Sequence, residues 1–440
     1  VMIKPRVGLL LILTLSCVIC RHTYETIGIF EGTVVNGLGM FIGSATTING
    51  QQAPNVVVSG QFSFVSWTDD NGNRQTIPAS GLALYNDIKN TWSTLKGLDG
   101  GIGVAEPRQQ ASLVLQNPKN NGSLFLGGWF AYAGNHVPNT MGAAQWSAKE
   151  GYTSMGDGLD VLQNNVPCWG ATDDAWMFRA FPMGNGSILS VGRFGLGDAS
   201  SIGVWDGKHW SSIGKGVRST CDVSALHNFG EVHWVYDASF DDSNGDIYFM
   251  GEFTFGIEDD GTHVPSVGLI KRNVAANKWE SIPRGIANCA NQPEPLDWLF
   301  RPSIARVNNS LYIGGAIRPF KQFPDTCNPQ FRVFKLVDGE EDWQDVHDGV
   351  LNGYDTGIYN GNAVFLFMRH LKEYKNPSLA LSFTQDVMTT LISNDFISRV
   401  TSVNFLDVGT NFIQVWLGGF QNTDKDSQSV IVRCVDCILK

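Results

Sequence analysis

Residues 187–217 read SILSVGRFGLGDASSIGVWDGKHWSSIGKGV, and this stretch sets out one local pattern. An apolar run ends in Gly192-Arg-Phe194, a second run ends at Trp205, and a third begins at Trp210. Apolar and β-branched runs of this length, bounded by Gly, Asp and Asn, are typical of short strands joined by tight turns. The stretch therefore predicts strands joined in sequence by turns, with no helix between them.

The same pattern returns along the chain, marked by an aromatic residue followed three positions later by an aliphatic one. The spacing, from about 45 to about 70 residues, is that of a four-stranded propeller blade with variable loops. Strand positions three apart point to opposite faces, so we expect each aromatic residue and its partner to pack on the two neighbouring sheets. The pairs are Tyr24/Ile27, Trp92/Leu95, Tyr152/Met155, Trp210/Ile213, Trp279/Ile282, Trp343/Val346 and, degenerately, Met388/Leu391.

These repeats predict an all-β fold, a seven-bladed β-propeller of four-stranded antiparallel blades. The last unit ends after its third strand, and Tyr24–Gly28 resembles the fourth strand Trp279–Pro283. We therefore expect the N-terminal strand to complete the last blade, which removes exposed edges at the seam. Because the sixth unit is degenerate, a six-bladed ring with irregular flanks is the alternative.

A glycine stands two positions before an aromatic or aliphatic residue at the end of most second strands. Glycine is expected there if the strands crowd or bulge near the narrow centre of the propeller, where a side chain would collide. The six instances are Gly60-Gln-Phe62, Gly128-Trp-Phe130, Gly192-Arg-Phe194, Gly251-Glu-Phe253, Gly315-Ala-Ile317 and Gly418-Gly-Phe420.

Residues 1–22 are predicted to be a secretory signal peptide, followed by a single propeller domain over residues 23–440. Lys4 and Arg6 form a basic region, and Val7–Cys20 form an apolar stretch too short to span a bilayer comfortably. An uncleaved membrane anchor is the alternative. We expect a secreted or cell-surface protein with no membrane span after signal removal.

The chain carries 42 acidic against 31 basic residues, a formal net charge of -11. This balance argues against nucleic acid or an anionic membrane as partner, because attraction to phosphate supplies most of that affinity. An extracellular protein or a glycan is the predicted ligand, and self-association is an alternative.

The cysteines outside the signal and three glycosylation sequons fit an exported chain. Loops that open on the same face of the propeller place Cys168 near Cys221 and Cys289 near Cys327, which leaves Cys434 with Cys437. The last pair has a second interpretation, as a redox or metal element. The glycosylation candidates, if the host is a eukaryote, are Asn121, Asn185 and Asn308.

The segment GVWDGKHWSSIGKGV, with the preceding VGRF, resembles the kelch-like repeats of secreted and cell-surface propellers. It is similar to the ectodomain of the fungal cortical marker family for bud-site selection. The resemblance lies in packing residues, so it implies a fold and a cell-surface setting but no chemistry. The chain resembles galactose oxidase in fold only. The copper site of that enzyme needs two tyrosines, a cysteine and two histidines, whereas the eight histidines of this chain are scattered singly.

Two acidic features have both a structural and a ligand-binding interpretation. Asp241, Asp242, Asn244 and Asp246 are weak calcium candidates, but Asn244-Gly245 also marks a tight hairpin. The acidic loops 68–73 and 258–263, with His136 and Asp325, are expected on the face that carries the cysteines. They form either a solvated rim or a site for a cation or polyol. Calcium apart, no cofactor is predicted.

No short motif of a known catalytic site is visible in the sequence. The chain is therefore predicted to be a non-catalytic binding or structural module of an extracellular assembly. One alternative is a polysaccharide hydrolase or lyase with acidic residues at the propeller channel, since such carboxylates leave no short signature. Another is a self-assembling coat or filament subunit that pairs through an exposed fourth strand.

Overall fold

The computed structural model is an all-β molecule of short antiparallel strands, and no helix occurs among the residues it describes. Accordingly, none of these residues belongs to a helix that could cross a bilayer. The described residues are 24–31, 41–48, 55–95, 110–134, 136–160, 175–219, 234–288, 303–307, 309–315, 317–319, 332–345, 399–407, 413–422 and 427–434.

Antiparallel units of four strands, here called sheets, follow one another along the chain, and sheets 2 and 3 are joined by the pairing of Trp129 with Trp176. Strands are numbered in chain order. Sheet 1 contains β2 (Phe41–Ile48), β3 (Asn55–Gln61), β6 (Leu82–Asn86) and β7 (Thr91–Ser93). Sheet 2 contains β8 (Gln110–Asn117), β9 (Asn120–Trp129), β10 (Ala143–Ser147) and β11 (Gly151–Thr153). Sheet 3 contains β12 (Trp176–Pro182), β13 (Ile188–Leu196), β14 (Ala199–Trp205) and β15 (Trp210–Ser212).

The later sheets have the same strand order. Sheet 4 contains β17 (Trp234–Phe240), β18 (Ile247–Glu252), β21 (Leu269–Asn273) and β22 (Lys278–Ser281). Sheet 5 contains β24 (Ser303–Val307), β25 (Ser310–Gly315), β27 (Arg332–Val337) and β28 (Gln344–Asp345). The last sheet contains β29 (Arg399–Asp407), β30 (Ile413–Asn422), β31 (Ser427–Cys434) and β1 (Tyr24–Glu31).

The first strands of successive sheets lie side by side, which makes the first strand the inner strand of each sheet. Contacts join β29 to β2, β2 to β8, β8 to β12, β12 to β17 and β17 to β24. Sheets arranged in this way around their first strands form a β-propeller. The sixth unit of the sequence falls in residues 346–398, outside the described residues.

The N-terminal strand completes the last sheet, as the sequence predicted. β1 pairs with β31 in antiparallel register, with Tyr24 opposite Cys434 and Phe30 opposite Ser429. Arg433 on β31 forms ion pairs with Glu25 on β1 and with Asp87 in the turn that follows β6. The seam is therefore held both by the strand ladder and by a cation that joins the last sheet to sheet 1.

The predicted packing of the aromatic and aliphatic pairs is confirmed for the described sheets. Each aliphatic residue shares a hydrophobic cluster with the aromatic residue of the next sheet. The indole N–H of Trp92 also donates to the carbonyl oxygen of Ile27 (2.9 Å), and that of Trp210 to Met155 (3.0 Å). The contacts between sheets are Ile27 with Trp92, Leu95 with Tyr152, Met155 with Trp210, Ile213 with Trp279, and Ile282 with Trp343.

The glycines of the second strands face a β-bulge that recurs in the inner strands. In β17 the register shifts between Val235 and Asp237, where β18 contributes Gly251. A Cβ on Gly251 would collide with the carbonyl oxygen of Trp234. The expected need for glycine is thus confirmed, and comparable shifts occur at Ile42/Ser44, Ala111/Leu113, Met177/Arg179 and Val400/Ser402.

Additional strands, not predicted from the sequence, connect sheets 1, 4 and 5 to the sheet before each of them. In sheet 1, the connection between β3 and β6 contains β4 (Phe64–Thr68) and β5 (Arg74–Pro78), and β4 pairs with β1. Prolines at the ends of β5, β20 and β26 limit pairing with further strands. In sheet 4, β19 (Phe255–Ile257) pairs with β20 (His263–Pro265) and with β16 (Val217–Arg218), which follows sheet 3. In sheet 5, β26 (Ile317–Pro319) pairs with β23 (Ile286–Asn288), which follows sheet 4.

Gly251→Ala should lower the free energy of unfolding by about 3 kcal/mol, because the added methyl group forces the bulge of β17 away from β18. Gly184→Ala is the matched control, since a Cβ there meets no atom within 4 Å, and it should change stability by less than about 0.5 kcal/mol. Urea denaturation measures both. Equal stabilities of the two variants would contradict the role assigned to the bulge.

Arg433→Met should lower the free energy of unfolding by about 2–4 kcal/mol, because it leaves Glu25 and Asp87 without their shared cation at the seam. Arg74→Met is the control, since Arg74 is 59% exposed in its pair with Glu31 and the change should cost less than about 1 kcal/mol. Denaturation curves of both variants would show the difference, and a loss no larger than that of the control would contradict the seam's dependence on Arg433.

Candidate functional site

The middle residues of the Gly-x-aromatic motifs lie at one end of the inner strands. They are Gln61, Trp129, Arg193 and Glu252, and all four side chains are partly exposed. In sheets 1 to 4 the bulge and the glycine bring the first two strands close together. Each of the four residues therefore pairs with the residue that begins the inner strand of its sheet. We call this end the inner mouth, which consists of these four residues with Trp176 and Trp234.

Aromatic side chains from three sheets meet at the inner mouth. Trp129 of sheet 2 stacks on Trp176 of sheet 3, with ring centroids 5.1 Å apart. Trp176 contacts Trp234 of sheet 4 at 6.3 Å, and Phe178 stacks on Tyr236 at 5.7 Å. We call these five side chains the aromatic group. Trp176, Phe178 and Tyr236 are buried, whereas Trp129 and Trp234 are partly exposed.

Charged and polar groups surround the aromatic group. The Arg193 guanidinium lies 5.4 Å from the ring centre of Trp234, and the Tyr236 hydroxyl donates a hydrogen bond to Glu252. Trp176 donates its indole N–H to the Ser112 hydroxyl at 3.1 Å. The indole nitrogen of Trp234 is buried and reaches no acceptor among the described residues. The described part of the mouth therefore combines aromatic rings with the Arg193 cation and the Glu252 carboxylate.

This combination suits the reversible binding of a small amphiphilic ligand. Ring faces contact apolar C–H groups, while Arg193 and Glu252 supply a hydrogen-bond donor and an acceptor of fixed direction. Glu252 is the carboxylate in contact with the aromatic group among the residues described. The mouth was not predicted from the sequence. The signal for it was the aromatic residues at the start of two inner strands, next to a tryptophan in the Gly-x-Phe motif of sheet 2.

The calcium candidates lie in the hairpin turn between β17 and β18. The Asp241 carboxylate accepts a hydrogen bond from the Ser243 amide (3.0 Å) and pairs with the Arg306 guanidinium of sheet 5 (2.8 Å). The Asp246 carboxylate accepts from the Val274 amide at 3.0 Å and lies 3.5 Å from the Lys271 ammonium. Asp242 and Asn244 are exposed.

No three His, Cys, Asp or Glu side chains form a potential metal site within the described segments. In the hairpin, Asp241 and Asp246 instead balance the charges of neighbouring cations. The hairpin interpretation of Asn244-Gly245 is confirmed, since Gly245 has a φ of 78° and its amide donates to the Asp241 carbonyl.

The two acidic loops form the tips of the additional hairpins. Asp69 accepts hydrogen bonds from the Asn73 amide and the Gln75 side chain, which lower the pKa of its carboxyl group. The amide of Thr262 lowers the pKa of Asp260 in the same way. His136 lies against the Tyr132 ring at 5.2 Å, and Asp325 falls outside the described residues. In these loops the carboxylates stabilise their own turns.

Most of the predicted disulfide and glycosylation residues fall outside the described part of the chain. Cys434 ends β31, where its backbone pairs with Tyr24 and Val415. Asn121 lies in β9, and Asn185 is exposed in the turn between β12 and β13. These sites stay predictions. Among the predicted features, those outside the described residues are the signal segment 1–22, Cys168, Cys221, Cys289, Cys327, Cys437 and Asn308.

Comparisons with known proteins leave the family of the chain open. No protein-family model matches it, and no curated protein matches it significantly. Solved structures with a similar fold include the WD40 repeats of RRP9, with a TM-score of 0.32, 8% identity and coverage of 93% of this chain and 97% of that one.

Two bacterial structures are similar at the same low level. A protein of unknown function from Dyadobacter fermentans has a TM-score of 0.34 at 10% identity and covers 93% of this chain and 99% of its own. An auxiliary nutrient binding protein from Bacteroides thetaiotaomicron has a TM-score of 0.28 at 9% identity and covers 69% and 68%. At these scores the propeller assignment rests on the sheet topology of the chain itself.

Arg306→Met should lower the free energy of unfolding at pH 7 by about 3 kcal/mol, because it leaves buried Asp241 without its cation. Burial raises the pKa of Asp241, but the Ser243 hydrogen bonds and the Arg306 ion pair outweigh it, so the pKa lies below its ordinary value.

The lowered pKa gives the folded state stability that is present above about pH 4 and is lost as the pH falls further. Without Arg306 the pKa of Asp241 should rise, so the variant should lose less stability than the wild type between about pH 5 and about pH 3. Urea denaturation across that range measures the difference. Parallel pH profiles would show that Arg306 does not hold the carboxylate in its charged form.

Proposed function

We propose that the protein is a secreted or cell-surface seven-bladed β-propeller that acts as a non-catalytic binding module of an extracellular assembly, with its ligand at the inner mouth. The observation that carries the binding role is the aromatic group, where tryptophans of three sheets meet beside Arg193 and Glu252 and where Trp129 and Trp234 are partly exposed. Pockets lined by aromatic residues with a few directed polar groups are the usual form of small-ligand sites.

Chain length supports seven blades rather than six. Sheet 3 takes the 37 residues from Trp176 to Ser212, and the 53 residues 346–398 between sheet 5 and the last sheet are enough for one more. They contain the degenerate pair Met388/Leu391. A ring of six would leave this length as a connection far longer than the usual loop.

The extracellular setting rests on the sequence. A basic region followed by an apolar stretch opens the chain, and the sequons Asn121, Asn185 and Asn308 fit an exported protein. The kelch-like repeat, and its resemblance to the ectodomain of the fungal bud-site-selection marker family, favour display at a cell surface. Asn121 and Asn185 stand near the connection between the first and second strands of a sheet, at the opposite end of the inner strands from the inner mouth.

Export and binding are tested together by expressing the chain with its leader in a eukaryotic host. We expect N-glycosylated protein in the medium that binds an extracellular-matrix fraction of its own host. Trp129→Ala with Trp234→Ala should weaken this binding about tenfold or more. Ile88→Ala, on a turn with its side chain 77% exposed, is the control that should bind normally. Retention inside the cell, or binding unchanged by the tryptophan substitutions, would contradict the proposal.

A further inference from the structure

We infer that the ligand of the inner mouth is a neutral glycan of gluco-configured pyranose units, an inference that rests on the proposed binding function. The argument uses the shape of the aromatic group, the charges beside it and the scarcity of apolar surface elsewhere. Each of these restricts the class of ligand.

The aromatic rings and the polar groups beside them match the apolar faces and the polar rim of a pyranose ring. A gluco-configured ring carries its hydroxyl groups at the rim and its axial C–H groups on both faces. The partly exposed rings of Trp129 and Trp234, on either side of Trp176, offer apolar contact to such faces. Arg193 and Glu252 stand at the same level and supply the donor and acceptor that paired rim hydroxyls need.

Charge argues against two other small ligands. A quaternary ammonium group at Trp234 would be repelled by the Arg193 cation, which lies 5.4 Å from the centre of that ring. An acidic polysaccharide would meet a chain of net charge -11 and the Glu252 carboxylate at the mouth, so repulsion works against its approach. A ligand without charge avoids both costs.

The distribution of apolar surface argues against a large protein partner at this site. The large hydrophobic side chains exposed in the described segments belong to different strands, loops and turns. None of them belongs to the aromatic group, and protein interfaces usually need a continuous patch. They are Phe64 (45% exposed), Ile88 (77%), Tyr132 (43%) and Val274 (49%).

Calorimetric titration of the mature protein with cellohexaose, chitohexaose and hexagalacturonate tests the inference. We expect at least one of the two neutral hexasaccharides to bind and the galacturonate not to bind. Trp234→Ala should weaken the binding about tenfold, whereas Trp234→Phe, which keeps an aromatic face, should weaken it less. Thermal denaturation confirms that both variants fold. No heat with either neutral sugar, or equal affinity in wild type and Trp234→Ala, would overturn the inference.

A second measurement separates failure of this inference from failure of the proposed function. The host's matrix fraction is treated with periodate, which cleaves vicinal diols of sugars, or with protease, before binding is measured. Loss of binding after periodate alone supports a glycan. Loss after protease alone overturns the glycan while the binding function stands. No binding to the untreated fraction would contradict the proposed function itself.

Discussion

The architecture depends on one contact that repeats between neighbouring sheets. An aromatic residue of the fourth strand packs against the aliphatic residue that stands three positions after the aromatic residue of the preceding sheet, as Trp92 does against Ile27. In that pair the indole N–H also donates to the Ile27 carbonyl, so hydrophobic burial and a directed hydrogen bond act at the same point. Since β1 carries Ile27, the same contact joins the last sheet to sheet 1.

Packing between sheets also determines what the inner strands display. The first strands touch because the sheets converge, and the bulge with its facing glycine lets β17 and β18 approach without a side chain between them. Beyond that point Glu252 and Trp234 emerge together. The repeat fixes the backbone of the inner strands, whereas the middle residue of the Gly-x-aromatic motif differs from sheet to sheet. The candidate site is therefore a consequence of the repeat.

Much of this fold could be predicted from the sequence, because the repeat encodes contacts with the adjacent sheet only. The role of Gly251, the pairing of β1 with β31 and the turn at Asn244-Gly245 all follow from local patterns. The aromatic group could not be predicted, since its members lie far apart in the chain and meet only through the placement of three sheets. The hairpin β4–β5 is not part of the four-stranded repeat, so the repeat does not predict it, although Phe64–Thr68 and Arg74–Pro78 flank a turn.

The central claim is that the N-terminal strand is an integral part of the last sheet. Hydrogen–deuterium exchange of the protein, followed by mass spectrometry of its peptic peptides, measures this most directly. The account predicts that amides of residues 24–31 exchange as slowly as those of β31, since both belong to one ladder. Exchange of residues 24–31 within seconds, while β31 stays protected, would contradict it.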